Sequence, residues 1–140
     1  MEDHPMEFHR GRLFDHVHLR VADLDRSREF YRRVLAVFGL SLQFDTAHAF
    51  SCDELFVTAA DASGVSSVHL AFQAASPDTV KEFHRVAVAA GGSDNGAPGE
   101  RNYHPGYYAA FVRDPDGNNL EAVYHGASTR TAESVVVKPV

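Results

Sequence analysis

The sequence predicts an α+β domain of two tandem β-α-β-β-β modules, forming a curved, mostly antiparallel sheet with a cavity on its concave face and helices outside. Three observations carry this. Residues 16–39, HVHLRVADLDRSREFYRRVLAVFG, align without a gap on residues 69–92, HLAFQAASPDTVKEFHRVAVAAGG, with eight of 24 positions identical, the mark of a duplicated unit. Each copy opens on period-two alternation and continues in a three-to-four repeat, so each is a strand followed by a helix. Short apolar runs bounded by turn residues then follow each helix.

In the first copy Val17, Leu19 and Val21 alternate with His16, His18 and Arg20. Asp23 or Asp25 caps the next helix, its apolar stripe is Phe30, Val34, Leu35 and Phe38, and Gly39 stops it. LSLQFD, HAFSC and ELFVTAA are the strands that follow. In the second copy Leu70, Phe72 and Ala74 alternate with His69, Ala71 and Gln73. Ser76 caps a helix with Pro77 in its first turn, Phe83, Val86, Ala87 and Ala90 form its stripe, and Gly91-Gly92 ends it. The tract SDNGAPGERNYHPG reads as a long loop or hairpin, and its GAPG, with no helix after it, is not a phosphate cradle. YYAAFVR and LEAVYH close the copy as strands joined by the turn Asp114–Gly117. The domain is therefore expected over 13–126 (modules 13–61 and 66–126), with tails at 1–12 and 127–140.

Composition narrows the function classes. The chain has 140 residues, 44% of them hydrophobic, with 10 Phe and 5 Tyr, enough for one core. A net charge of −6 without a basic run argues against a nucleic-acid partner. No apolar stretch reaches membrane-spanning length and the opening MEDHPMEFHRGR has no signal-peptide core, so a cytoplasmic location is expected. The lone Cys52 excludes an internal disulfide and a zinc site built from cysteines, and without a base partner it is a strand residue, not a nucleophile. Nine histidines are the compositional oddity.

Parity groups side chains by face. With Leu19, Val21, Leu70 and Phe72 under the helices, the opposite face carries His16, His18, Arg20, His69 and Gln73, and on the last strand Glu121 and Val123. A carboxylate between Leu120 and Ala122 is costly unless paired. Two repeat-equivalent histidines and Glu121 form a plausible metal site with open coordination positions.

The segments FDHVHLRVADLDRSREFY, VHLAF and DPDGNNLEAVYH resemble the vicinal-oxygen-chelate superfamily, which includes glyoxalase I, bleomycin-resistance proteins, extradiol dioxygenases and thiol-transferring fosfomycin-resistance enzymes. The resemblance spans 13–126, and GGSDNGAPGERNYHPGYYAAFVRDPDGNNLEAVYH is similar to a bacterial subgroup known only as glyoxalase-like. It implies metal ligands at His16, His69 and Glu121, and a divalent cation (Fe, Mn, Ni or Zn) chelating two oxygens of a small molecule. Glyoxalase I adds a fourth ligand, a carboxylate on the last strand of module one. Here Phe56 aligns with Glu121, and Glu54 serves only in a shifted register. A metal-dependent lyase or isomerase, or an enzyme of addition to an electrophile, leads. An extradiol-type Fe(II) dioxygenase, a metal-free drug-binding protein and a ligand-free scaffold remain alternatives.

Phe56, His18, Gln73, Val123 and Arg20 are the substrate-binding candidates; Arg20 either anchors an anionic substrate or, in a metal-free protein, pairs with Glu121. His104 and Tyr107, in a segment that module one lacks, are the acid/base candidates. Modules pair within a chain or across a dimer in the superfamily, and a homodimer is expected from the small domain and its open sheet edges.

Overall fold

A computed structural model of the chain describes residues 13–136, 138 and 139. The tail expected at 1–12 lies outside the described residues. Module one runs β1 (Val17–Val21), α1 (Leu24–Ala36), β2 (Phe44–Asp45), β3 (Ala49–Cys52) and β4 (Leu55–Ala59). Module two runs β5 (His69–Gln73), α2 (Pro77–Ala89), β6 (Ser93–Glu100), β7 (Tyr108–Arg113) and β8 (Asn119–Tyr124). Residues 127–136 contain no helix or strand.

The two-module architecture is the one the repeat predicts, but the strands do not form one sheet. They form two four-stranded sheets of equivalent order, β1-β4-β3-β2 and β5-β8-β7-β6. Each is mixed, because the first strand of a module pairs parallel with its last. The tract expected as a long loop or hairpin takes the hairpin form, and its first eight residues are strand β6. Residues 93–100, GAPG included, pair with β7 through two register shifts. Bulges accommodate the Gly and Pro that lower strand propensity there.

Local chemistry sets the helix ends. The Asp23 side chain accepts from the Arg26 N–H, and Ser76 accepts from the Thr79 N–H, with Pro77 opening α2. Gly39, at φ +76°, turns the chain out of α1. Gly92 is demanded by packing, since a Cβ there would lie 2.6 Å from Val112 Cγ1 and 2.8 Å from the Ala87 carbonyl.

Leu19, Val21, Phe30, Val34, Phe50, Val57, Val80, Phe83, Val112 and Leu120 are buried in one core shared by both modules. Each large apolar side chain contributes roughly 1.5–3 kcal/mol by leaving water. Phe38 packs on Phe72 and Phe83 with ring centroids 5.5 and 6.0 Å apart, joining α1 to module two. A polar latch makes the second joint. Asp114 is buried and accepts from the Tyr31 hydroxyl (2.5 Å), Asn118 Nδ2 (2.9 Å) and the backbone N–H groups of Asp116 and Asn118. Asp116 accepts from the Ala22 N–H at 2.9 Å, so the turn of module two clasps the start of α1.

Cys52 is buried on β3, and burial, with the charges of Asp53 and Glu54 adding, pushes its thiol from 9.0 up to about 11. The folded state thus favours the protonated thiol. Its contribution to stability is complete below pH 9 and is lost as pH rises from there through 11. Iodoacetamide at pH 8 is expected to leave Cys52 unmodified in native protein and to alkylate it in urea. Native labelling at the rate of a free thiol would contradict this.

Candidate functional site

The face of module two opposite α2 is built by strand parity. On β8, Leu120 and Ala122 enter the core, so Glu121 and Val123 face away. Register places Glu121 beside Ala71 on β5 and Phe111 on β7, and Val123 beside Gln73 and Ala109. His69, at the start of β5, is on this face, and so is Tyr107 just ahead of β7.

Glu121 is buried, with 2% of its surface exposed, yet it is fully partnered. His69 Nε2–H donates to Glu121 Oε1 at 2.9 Å, and the Tyr107 hydroxyl donates to Oε2. A carboxylate only accepts, so these contacts fix both donors. Burial, then the hydrogen bond to Glu121, then the Glu121 charge, hold the Tyr107 phenol above its usual range. Tyr107 therefore stays protonated at neutral pH.

Tyr107 sits in a cluster of rings. Tyr103, His104 and His125 approach it edge-on at centroid distances of 4.9, 5.3 and 5.1 Å. His104 Nδ1–H donates to the Pro105 carbonyl at 2.8 Å, which leaves its Nε2 to accept from His125 Nδ1–H at 2.9 Å. His104 is thus exposed and bonded to His125, and reaches Glu121 only through Tyr107.

Module one presents the equivalent face. His18 Nε2 bonds Thr58 Oγ1 at 2.7 Å, and its ring lies 5.0 Å from Phe56. Desolvation, then the charges of Arg20 and His16, lower its pKa, so His18 is neutral at pH 7. His16 lies just ahead of β1, its Nδ1 is 2.7 Å from Asp15 Oδ1, and it lines a 350 Å³ cleft with Asp15, Ser51, Asp53 and Phe56.

The structure therefore unites His69, Glu121 and Tyr107 and keeps His16 apart. Among the described residues no three His, Cys, Asp or Glu side chains are grouped to hold a metal ion. His69 and Glu121 supply an imidazole and a carboxylate, borderline and hard donors suited to a divalent transition metal, but two donors do not complete a site.

One sequence alternative is corrected, and the alignment of Phe56 with Glu121 is seen in the strand registers. Arg20 does not pair with Glu121; it lies 3.5 Å from Asp61, a nearby carboxylate in its own module. Glu54 is in the β3–β4 turn, where its carbonyl accepts from Val17 N–H at 2.7 Å. The parallel registers Val17↔Leu55 and Leu70↔Leu120 make Phe56 the structural counterpart of Glu121, so module one has no carboxylate there. Sequence reasoning also missed Phe111, whose ring lies 6.0 Å from that of His69, and Arg101, stacked on Phe111.

Residues 13–122 match the family described as the glyoxalase/bleomycin resistance protein/dioxygenase superfamily. The chain belongs to this superfamily. Among solved structures it is similar to a glyoxalase/bleomycin resistance protein from Albidiferax ferrireducens T118, at 28% identity and TM-score 0.69, over 79% of this chain and 97% of that one. A glyoxalase/bleomycin resistance protein/dioxygenase family enzyme from Burkholderia phytofirmans PsJN shares the fold at 23% identity and TM-score 0.61, over 78% and 95% of the chains. Lactoylglutathione lyase from Agrobacterium tumefaciens does so at 24% identity and TM-score 0.57, over 82% and 95%. No curated protein sequence matched. Among the described residues no helix is long and apolar enough to cross a membrane.

Proposed function

We propose that the protein is a metal-dependent, glyoxalase-like enzyme acting on a small oxygen-rich molecule, with each site shared between two subunits of a homodimer. The observation that carries this reading is the pair His69 Nε2 and Glu121 Oε1, 2.9 Å apart on an open sheet face, with a buried carboxylate. His69, Glu121 and His16 of the partner subunit would hold the cation. Bound there, a divalent ion supplies Lewis acidity toward a substrate oxygen.

The chain's own residues set the terms of that chemistry. His69 must give up its Nε2 proton to act as a donor, and Glu121 Oε1 is held toward it. Tyr107 keeps Oε2 occupied, so Glu121 offers one oxygen. Phe56 in place of a carboxylate removes the base that a lactoylglutathione lyase mechanism would draw from module one. That favours three protein donors and chemistry on the remaining positions. His104 and His125 are the next proton-carrying groups, reached through Tyr107.

The test is elemental mass spectrometry on protein purified without a histidine tag or chelator, beside Glu121→Ala. Near-stoichiometric iron, manganese, nickel or zinc that the variant loses is the expected result. No metal in either protein, and no thermal stabilisation by these ions, would replace this reading with a metal-free binding protein. Oxygen uptake on catechols would assign the dioxygenase branch.

A further inference from the structure

We propose that Arg101 anchors an oxyanion of the substrate, a carboxylate or a phosphate, beside the His69–Glu121 pair. This names a substrate class for the site above and rests on that reading.

The guanidinium is built into place. Its carbon lies 5.5 Å from the Phe111 ring centroid, over the ring. Arg101 Nη1 donates to the Gly99 carbonyl at 2.9 Å and the Glu100 carbonyl at 3.4 Å, and Nη2 to the Ala97 carbonyl at 2.8 Å. Two glycines make the room: a Cβ at Gly96 would lie 3.0 Å from Phe111 Cδ2 and 3.3 Å from Arg101 Nη2, and one at Gly99 would lie 3.3 Å from Nη1. The Arg101 N–H donates to the Tyr107 carbonyl at 2.9 Å, so the backbone pairs Arg101 with the residue that holds Glu121.

This half-buried cation has no carboxylate partner among the described residues; the exposed Arg26, Arg33 and Arg113 have none either, but the other half-buried arginines, Arg20 and Arg28, each have one. Three backbone acceptors fix its orientation but carry no full charge. Of five guanidinium N–H groups, Nε–H and one Nη2–H remain for a ligand. Phe111 touches both Arg101 and His69, so the anchor and the metal-ligand pair share one aromatic floor. A fixed, uncompensated guanidinium with two free donors suits a planar or tetrahedral oxyanion, where charge-assisted bonds form with little further ordering.

The experiment titrates full-length protein in EDTA with benzoate, with neutral benzamide and with inorganic phosphate, following the Arg101 Nε–H signal by NMR. Benzoate or phosphate is expected to shift it saturably and benzamide not to. Arg101→Gln should weaken anion binding about tenfold or more, the loss of one charge-assisted pair. Gly96→Ala, which displaces the guanidinium and keeps its charge, should weaken it less. Glu121→Gln should lose metal and retain the anion, so the two readings fail separately. Equal binding to wild type and Arg101→Gln, or no response to either anion, overturns the proposal. The tighter of the two anions names the group.

Discussion

Mixing subunits carrying His16→Ala with subunits carrying Glu121→Ala is expected to restore metal binding that neither variant shows alone. The single chain keeps His16 out of the His69–Glu121 group, so the proposed three-donor site would draw on His16 of the partner subunit. In a heterodimer of the two variants, one site carries both lesions and the other carries neither. Random assortment makes half of the dimers heterodimers, so about a quarter of all sites recover, following from twofold symmetry. Metal content and activity should rise together to that level after co-refolding. Recovery of nothing, with both variants dimeric, would place the ligands within one chain or remove the metal altogether.

Asp114→Ala is expected to cost about 4 kcal/mol of stability, as breaking a buried charged network does. The substitution strips partners from the Tyr31 hydroxyl, Asn118 Nδ2 and two backbone N–H groups in a region where Asp114 is 3% exposed. Against a total stability of roughly 5–15 kcal/mol, the loss is large enough to lower the melting temperature by about 10 °C. Tyr31→Phe removes one of these contacts and should cost only about 1 kcal/mol. Burial, then the Asp114 charge and hydrogen bond, hold the Tyr31 phenol protonated, so its donor role persists into alkaline solution. Urea unfolding of the two variants checks the order; equal costs would show that the latch is held by something other than Asp114.

The elements were legible where periodicity and end signals agree. Helices α1 and α2, their caps Asp23 and Ser76, and the inward positions Leu19, Val21 and Leu120 follow from local pattern. Strand β6 was legible only as one arm of a loop or hairpin: its SDNGAPGE has little strand propensity, and pairing with β7 supplies what propensity withholds. Arg101 was hidden for the same reason, since its seat consists of carbonyls and a ring that only the bulged strand assembles.

The candidate site divides along the same line. Parity and the repeat alone put His69 and Glu121 on one face and made Phe56 the counterpart of Glu121. Period-two alternation is a property of the strand and survives in any environment. Only the tertiary structure decided that Tyr107 meets Glu121, that Arg20 turns to Asp61, and that the strands divide into two open sheets with His16 on the other module. These outcomes depend on distances between segments far apart in sequence. Packing sets those distances, because buried charge and the shared core must be satisfied for the whole chain at once.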